Sequence, residues 1–158
     1  MHNENALEQK QILQQRRLTL EGLLSKETRN YFHFNTLDNF IYHFERISNS
    51  DDRQWVYHTL NNFFDEASGL IDQIDVDSSN TIYEEYLSKI ASYYDSYLGF
   101  TMHTYLWVVV PMYLIALLIL GYFLNFYLVL LLLSALFIYH MTYLYNKHKQ
   151  KKLFGAFY

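Results

Sequence analysis

From Ser96 to Asn146 the chain carries no formally charged side chain, a run of 51 residues in a protein of 158. Within Tyr105–Tyr145, 35 of 41 residues are apolar or aromatic, and the exceptions are Pro111, Gly121, Asn125, Ser134, His140 and Thr142. A helix at the surface of a soluble protein must show water a polar face, and neither half of this run has one. Charge-free apolar stretches of this length read as membrane spans, because a charge at mid-bilayer costs about 2.5–3.5 kcal/mol on insertion scales.

As a single helix the stretch would be about 60 Å long against a hydrocarbon core of about 30 Å, so it must fold back. Gly121 and Asn125 sit in its middle, and both tolerate the left-handed backbone that ends a helix. This predicts a transmembrane hairpin with spans near 105–121 and 126–145 and the turn between them. Tyr105, Trp107, Tyr143 and Tyr145 then share one interface, with Tyr122 and Tyr127 at the other, since Tyr and Trp favour the headgroup level. Pro111 lacks an amide donor and predicts a kink near the start of the first span.

Orientation follows from Lys147, Lys149, Lys151 and Lys152, which come directly after the second span, while the turn carries no charge. The positive-inside rule places them in the cytoplasm, and two spans return the amino-terminal part to the same side. The first ten residues lack the apolar core of a secretory signal. The expected location is therefore a bacterial inner membrane or its equivalent, with both termini cytoplasmic. A hairpin wedged into one leaflet is the variant. The four lysines and the aromatics after them also suit contact of the 147–158 tail with anionic lipid.

The mean hydropathy of −0.09 averages two unlike parts. Residues 1–103 hold all 16 acidic and 8 of the 12 basic residues; residues 104–158 hold four lysines and no acid. Residues 1–100 read as an all-α bundle of about four helices. Residues 5–30 carry Leu7, Leu13, Leu20, Leu23 and Leu24 on one stripe. Residues 36–48 carry Leu37, Phe40, Ile41, Phe44 and Ile47 at helical spacing, with Asn35 or Thr36 as cap. A third helix opens at Ser50-Asp51-Asp52 and faces inward with Val56, Leu60, Phe63, Phe64, Ala67, Leu70, Ile71 and Ile74. After a turn at 75–80, Thr81-x-x-Glu84 fits a capping box opening a fourth, with Ile82, Tyr86, Ile90, Tyr93, Tyr94 and Tyr97 inward and Gly99 ending it. Residues 35–95 have a net charge of −9, a solvated acidic surface on which the more basic first helix can dock.

Chemistry is scarce. The absence of cysteine excludes disulfides, thiolate metal sites and thiol nucleophiles. Asp75-Val-Asp77-Ser-Ser79 imitates the start of a calcium loop, but Asn80 replaces its glycine and Tyr86 its bidentate Glu, so a capped turn accounts for it better. His33, His43 and His58 lack the Glu-x-x-His spacing of di-iron bundles, and His43, beside Glu45 and Arg46, reads as a polar edge. His140 is an ionisable group inside a span, able to reach the interface or a Tyr hydroxyl on the other span; this suits a structural contact better than a proton relay. No catalytic residue, metal ligand or cofactor site is assigned, and an acidic bundle excludes nucleic acid as partner. The chain reads as a non-enzymatic membrane-anchored adaptor or scaffold for a protein partner or for its own copies. The alternatives are a membrane-perturbing effector or small oligomeric pore, such as the toxic arm of a bacterial defence system, and an accessory subunit of a larger membrane complex or a bilayer-shaping hairpin.

Overall fold

The computed structural model describes residues 2–25, 28–102, 105–123 and 126–154. The chain is mostly helical and forms two compact units: residues 1–100 with 154–158, and residues 101–153. The all-α class read from the sequence holds.

The first unit is a bundle. Helix α1 (His2–Leu23) buries Ala6, Leu13 and Leu20, a heptad step that continues backward from the leucines. Leu7 and Leu23, expected on the stripe, face water. The helix stops short of residue 30 because Ser25 and Thr28 bond one another and the local backbone, with the Thr28 amide donating to Ser25 Oγ at 3.2 Å. Such short side chains offer the backbone an alternative to the helix. A 3-10 turn follows at Thr28–Phe32.

Helix α2 (Phe34–His43) and the turn Phe44–Arg46 bury Leu37, Phe40, Ile41 and Phe44 as their spacing requires, and Ile47 follows them into the core. The helix begins before Asn35, so neither Asn35 nor Thr36 caps it. His33 does so with its backbone, at φ 53°, its carbonyl accepting from the Thr36 and Leu37 amides. Helix α3 (Ser50–Gly69) is capped one residue earlier than Ser50: Asn49 Oδ1 accepts from the Asp51 amide at 2.8 Å. Val56, Leu60, Phe63, Phe64 and Ala67 are buried, and Leu70, Ile71 and Ile74 pack beyond its end.

Helix α4 (Val76–Ile82) starts five positions before the expected box. Asp75 is its cap and accepts from the Ser78 amide at 2.8 Å; the Ser78 side chain first, and then that amide, hold its carboxyl below the usual range. Thr81 instead donates back to the Asp77 carbonyl within the helix. A π-turn at Tyr83–Leu87 leads into α5 (Ser88–Leu98). The buried face is Ile82, Tyr83, Leu87, Ile90, Ala91 and Tyr94, which keeps Ile82, Ile90 and Tyr94 where their spacing places them, while Tyr86 and Tyr93 are half-buried. Tyr97, expected inward, is 73% exposed. Gly99, at φ 66°, ends the helix in the left-handed conformation that glycine adopts without penalty, and the Phe100 amide closes back on the Tyr94 carbonyl at 3.2 Å.

The bundle core centres on Phe40, whose ring meets Tyr94 at 4.8 Å, Phe100 at 5.9 Å and Phe154 at 6.5 Å. The chain thus leaves this unit after Phe100 and rejoins its core at Phe154. Docking of α1 uses charge as well as leucine. Arg16 binds Asn61 and Asp65 on α3, Arg17 forks onto Asp38 of α2 at 2.8 and 2.9 Å, and Lys10 reaches Glu45 at 2.9 Å. Exposed pairs of this kind add at most about 1 kcal/mol each, so they fix the register of α1 more than its stability.

The second unit is a pair of antiparallel helices, α6 (Tyr105–Phe123) and α7 (Phe126–Lys149). Short strands β1 (Thr101–Met102) and β2 (Leu153–Phe154) form a two-stranded sheet, in which the Thr101 amide donates to the Lys152 carbonyl at 2.9 Å.

Candidate functional site

Helix α6 and α7 are apolar on every side. Leu114, Leu118 and Ile119 of α6 and Leu128, Leu131 and Ile138 of α7 are all exposed, Leu118 by 75%. In a helix of a soluble protein such residues would form a buried stripe; here the pairing leaves most of both helices bare. Among the described residues one helix, Tyr127–Lys149, is long and apolar enough to cross a membrane. Of the two spans expected, one helix of that quality is found there; in α6 the described apolar stretch is Val110–Tyr122, a shorter helix.

The turn also differs. Gly121 lies inside α6, which continues to Phe123, and Asn125 falls outside the described residues. Pro111 is accommodated within α6. Tyr122, Tyr127, Tyr143 and Tyr145 are exposed, while the side chains of Tyr105 and Trp107 lie outside the description.

Between the helices Val110, Tyr113 and Leu117 face Leu130, Ser134 and Phe137 across an apolar groove. The Tyr113 hydroxyl and His140 Nδ1 are 3.2 Å apart, and the Tyr113 ring meets Phe137 edge-on at 5.9 Å. Tyr113 was not singled out by the sequence. In a hairpin turning near residue 124, position 113 falls opposite residue 135, more than one turn before His140, so spacing alone did not pair the two. Closer to the open end, Thr101 Oγ1 and the Tyr143 hydroxyl are 3.3 Å apart.

The lysines do not form a separate tail. Lys147 and Lys149 belong to the last turn of α7, where positive charge suits the helix dipole, and the Lys147 ammonium lies 5.2 Å from the centre of the Tyr143 ring. Lys151 takes φ 56° and closes the helix, with the Lys152 amide donating back to Lys147 at 2.9 Å. Leu153 and Phe154 are buried, which corrects the reading of residues 153 and 154 as a strip lying on lipid; residues 155–158 lie outside the description.

Two histidines of the bundle, His33 and His43, are core residues. His43 is buried edge-on against Phe100 at 5.3 Å, not on a polar edge. His58 is exposed and pairs with Gln54 at 2.8 Å. His33 is buried beside Tyr83, its Nε2 3.0 Å from Ser79 Oγ and 3.2 Å from the Ser79 carbonyl, and Ser79 Oγ in turn donates to the Tyr31 carbonyl at 2.7 Å. This small network ties the start of α2 to α4. Burial lowers the His33 pKa, opposed in part by the Ser79 carbonyl.

A group whose folded pKa lies below its unfolded value contributes stability above the unfolded value, and that contribution is lost as pH falls. The bundle should therefore weaken below about pH 6.5, the unperturbed value for His. In urea titrations of the full chain in detergent, the midpoint should fall between pH 7.5 and 5, and His33→Asn, whose side chain tolerates the left-handed backbone, should reduce that fall. A pH dependence unchanged in the variant would remove His33 as its source.

Among the described residues no group of three or more His, Asp or Glu side chains is placed to hold a metal ion. No protein family, no curated protein and no solved structure matches the chain.

Proposed function

We propose that the chain is a membrane-anchored helical adaptor: α7 crosses the bilayer, α6 enters beside it and returns the chain to the same side, and the acidic bundle is presented in the cytoplasm to a protein partner. The observation that carries this reading is the exposure of leucine, isoleucine and valine around both helices of the second unit. Support for a crossing α6 comes from its 19 residues, about 28 Å of helix, without a charge. The polar contact between Tyr113 and His140 satisfies two groups that would be costly to leave bare in hydrocarbon. Support for the orientation comes from Lys147, Lys149, Lys151 and Lys152 at one end of the hairpin and the uncharged connection at the other. The adaptor role rests on the bundle, which is acidic and folded around its own aromatic core.

A reporter inserted between Phe123 and Phe126 tests the topology. Activity confined to the far side of the membrane is expected. Activity on the cytoplasmic side would overturn a crossing hairpin. Expression with collapse of the membrane potential, and no co-purifying partner in mild detergent, would replace the adaptor by the pore-forming effector.

A further inference from the structure

The bundle carries a row of aromatic rings that runs from the edge of its core to the surface. Tyr93 of α5, packed against the core, lies between Trp55 of α3, at 6.0 Å, and Tyr97, at 4.7 Å. Trp55 is 40% exposed and Tyr97 73%. A carboxylate is built into the same row: the Tyr93 hydroxyl donates to Asp52 Oδ2 at 3.0 Å. Burial, and then Asp52, push the Tyr93 pKa up to about 12, so the phenol stays neutral and keeps donating. The nearest base in the sequence, Arg53, is directed onto the Ile47 carbonyl at 3.1 Å and so is held toward the start of the helix.

Ring faces are electron-rich, and beside a carboxylate they attract a cation. A methylated ammonium is the cation that suits such a surface, because it sheds water more readily than a lysine ammonium and offers methyl groups to the rings. The place of the patch in the chain points to where that cation comes from. Tyr97 stands in the last turn of α5, four residues before Thr101 opens the second unit. Trp and Tyr are also the residues that favour the headgroup layer. The net charge of −9 over residues 35–95 opposes anionic lipid at this surface and favours the positive end of a zwitterionic one.

We propose that Asp52, Trp55, Tyr93 and Tyr97 form a docking site for the quaternary ammonium of a zwitterionic phospholipid headgroup, which holds the bundle down on the bilayer surface. This rests on the membrane-anchored reading, and the two can fail separately because the chain has two tryptophans, Trp55 in the bundle and Trp107 in α6.

The full chain is reconstituted into phosphatidylcholine vesicles in which part of the lipid carries a nitroxide on its choline nitrogen. In Trp107→Phe, where Trp55 alone emits, the label should quench emission at least twofold relative to unlabelled vesicles. Asp52→Asn, which keeps an acceptor for Tyr93 while removing the charge, and Tyr97→Leu should each cut that quenching by half or more. Unquenched Trp55, with Trp107 quenched in Trp55→Phe, overturns the docking site and leaves the anchor standing. Failure of both tryptophans to respond, in a protein that does not float with the vesicles, overturns both. Quenching of Trp55 unchanged by Asp52→Asn and by Tyr97→Leu also overturns the site, since the bundle would then lie near the surface without recognising the ammonium.

Discussion

A chain carrying Leu118→Arg together with Leu131→Arg should leave the membrane fraction. Both leucines are well exposed, on α6 and α7 respectively, and neither has a carboxylate on the hairpin to pair with. Each arginine at mid-span costs about 2.5–3.5 kcal/mol on insertion scales, and each 1.4 kcal/mol is a factor of ten. The pair should therefore lower the insertion equilibrium by roughly four orders of magnitude, enough to turn a protein resistant to alkaline carbonate into an extractable or aggregated one. Leu18→Arg, at an exposed position of α1 in the bundle, should leave fractionation unchanged. If the double variant stays in the carbonate-resistant pellet with wild-type yield, the apolar faces of α6 and α7 are not dissolved in lipid.

The second large effect is expected at Phe40. Its ring is fully buried and touches Tyr94, Phe100 and Phe154, so Phe40→Ala opens a cavity between residues from both ends of the chain. Such truncations cost about 3–5 kcal/mol, against a total of about 5–15 kcal/mol for a typical domain. The urea midpoint of the bundle, followed by Trp55 emission in the full chain, should fall by a third or more. Asn62→Ala, an exposed change on α3, should shift stability by no more than about 0.5 kcal/mol. A loss below about 1 kcal/mol for Phe40→Ala would show that the aromatic centre is not where the bundle's stability lies.

The faces of α2 and α3 were legible because nothing interrupts their 3.6-residue period: Leu37, Phe40, Ile41 and Phe44, and then Val56, Leu60, Phe63, Phe64 and Ala67, all recur without a break. The docking of α1 was legible as charge, since Arg16 and Arg17 meet an acidic sequence whose members include Asp38 and Asp65. On α5, Ile90 and Tyr94 are buried as their spacing requires, and Tyr97, in the last turn before Gly99, is not. His33 was illegible as a cap because its contribution is a left-handed backbone held by Ser79 and Tyr83, contacts that lie far away in sequence. The caps at Asn49 and Asp75 were each missed in favour of a later residue that also fits a capping pattern, and local chemistry alone does not rank the two. The aromatic row of Trp55, Tyr93 and Tyr97 was hidden because spacing places Tyr93 and Tyr97 on one face of α5 and says nothing of Trp55, which meets them from another helix.

Phe154 gives the bundle an order of manufacture. Among the described residues it is the last member of the bundle core, and it emerges from the ribosome only after all of α6 and α7. Residues 1–100 therefore complete their interior only once the apolar pair has been synthesised, and a nascent chain arrested anywhere between Thr101 and Leu153 exposes the gap beside Phe40 and Phe100 that Phe154 fills. Phe154 thus reports, inside the bundle, that α6 and α7 already exist.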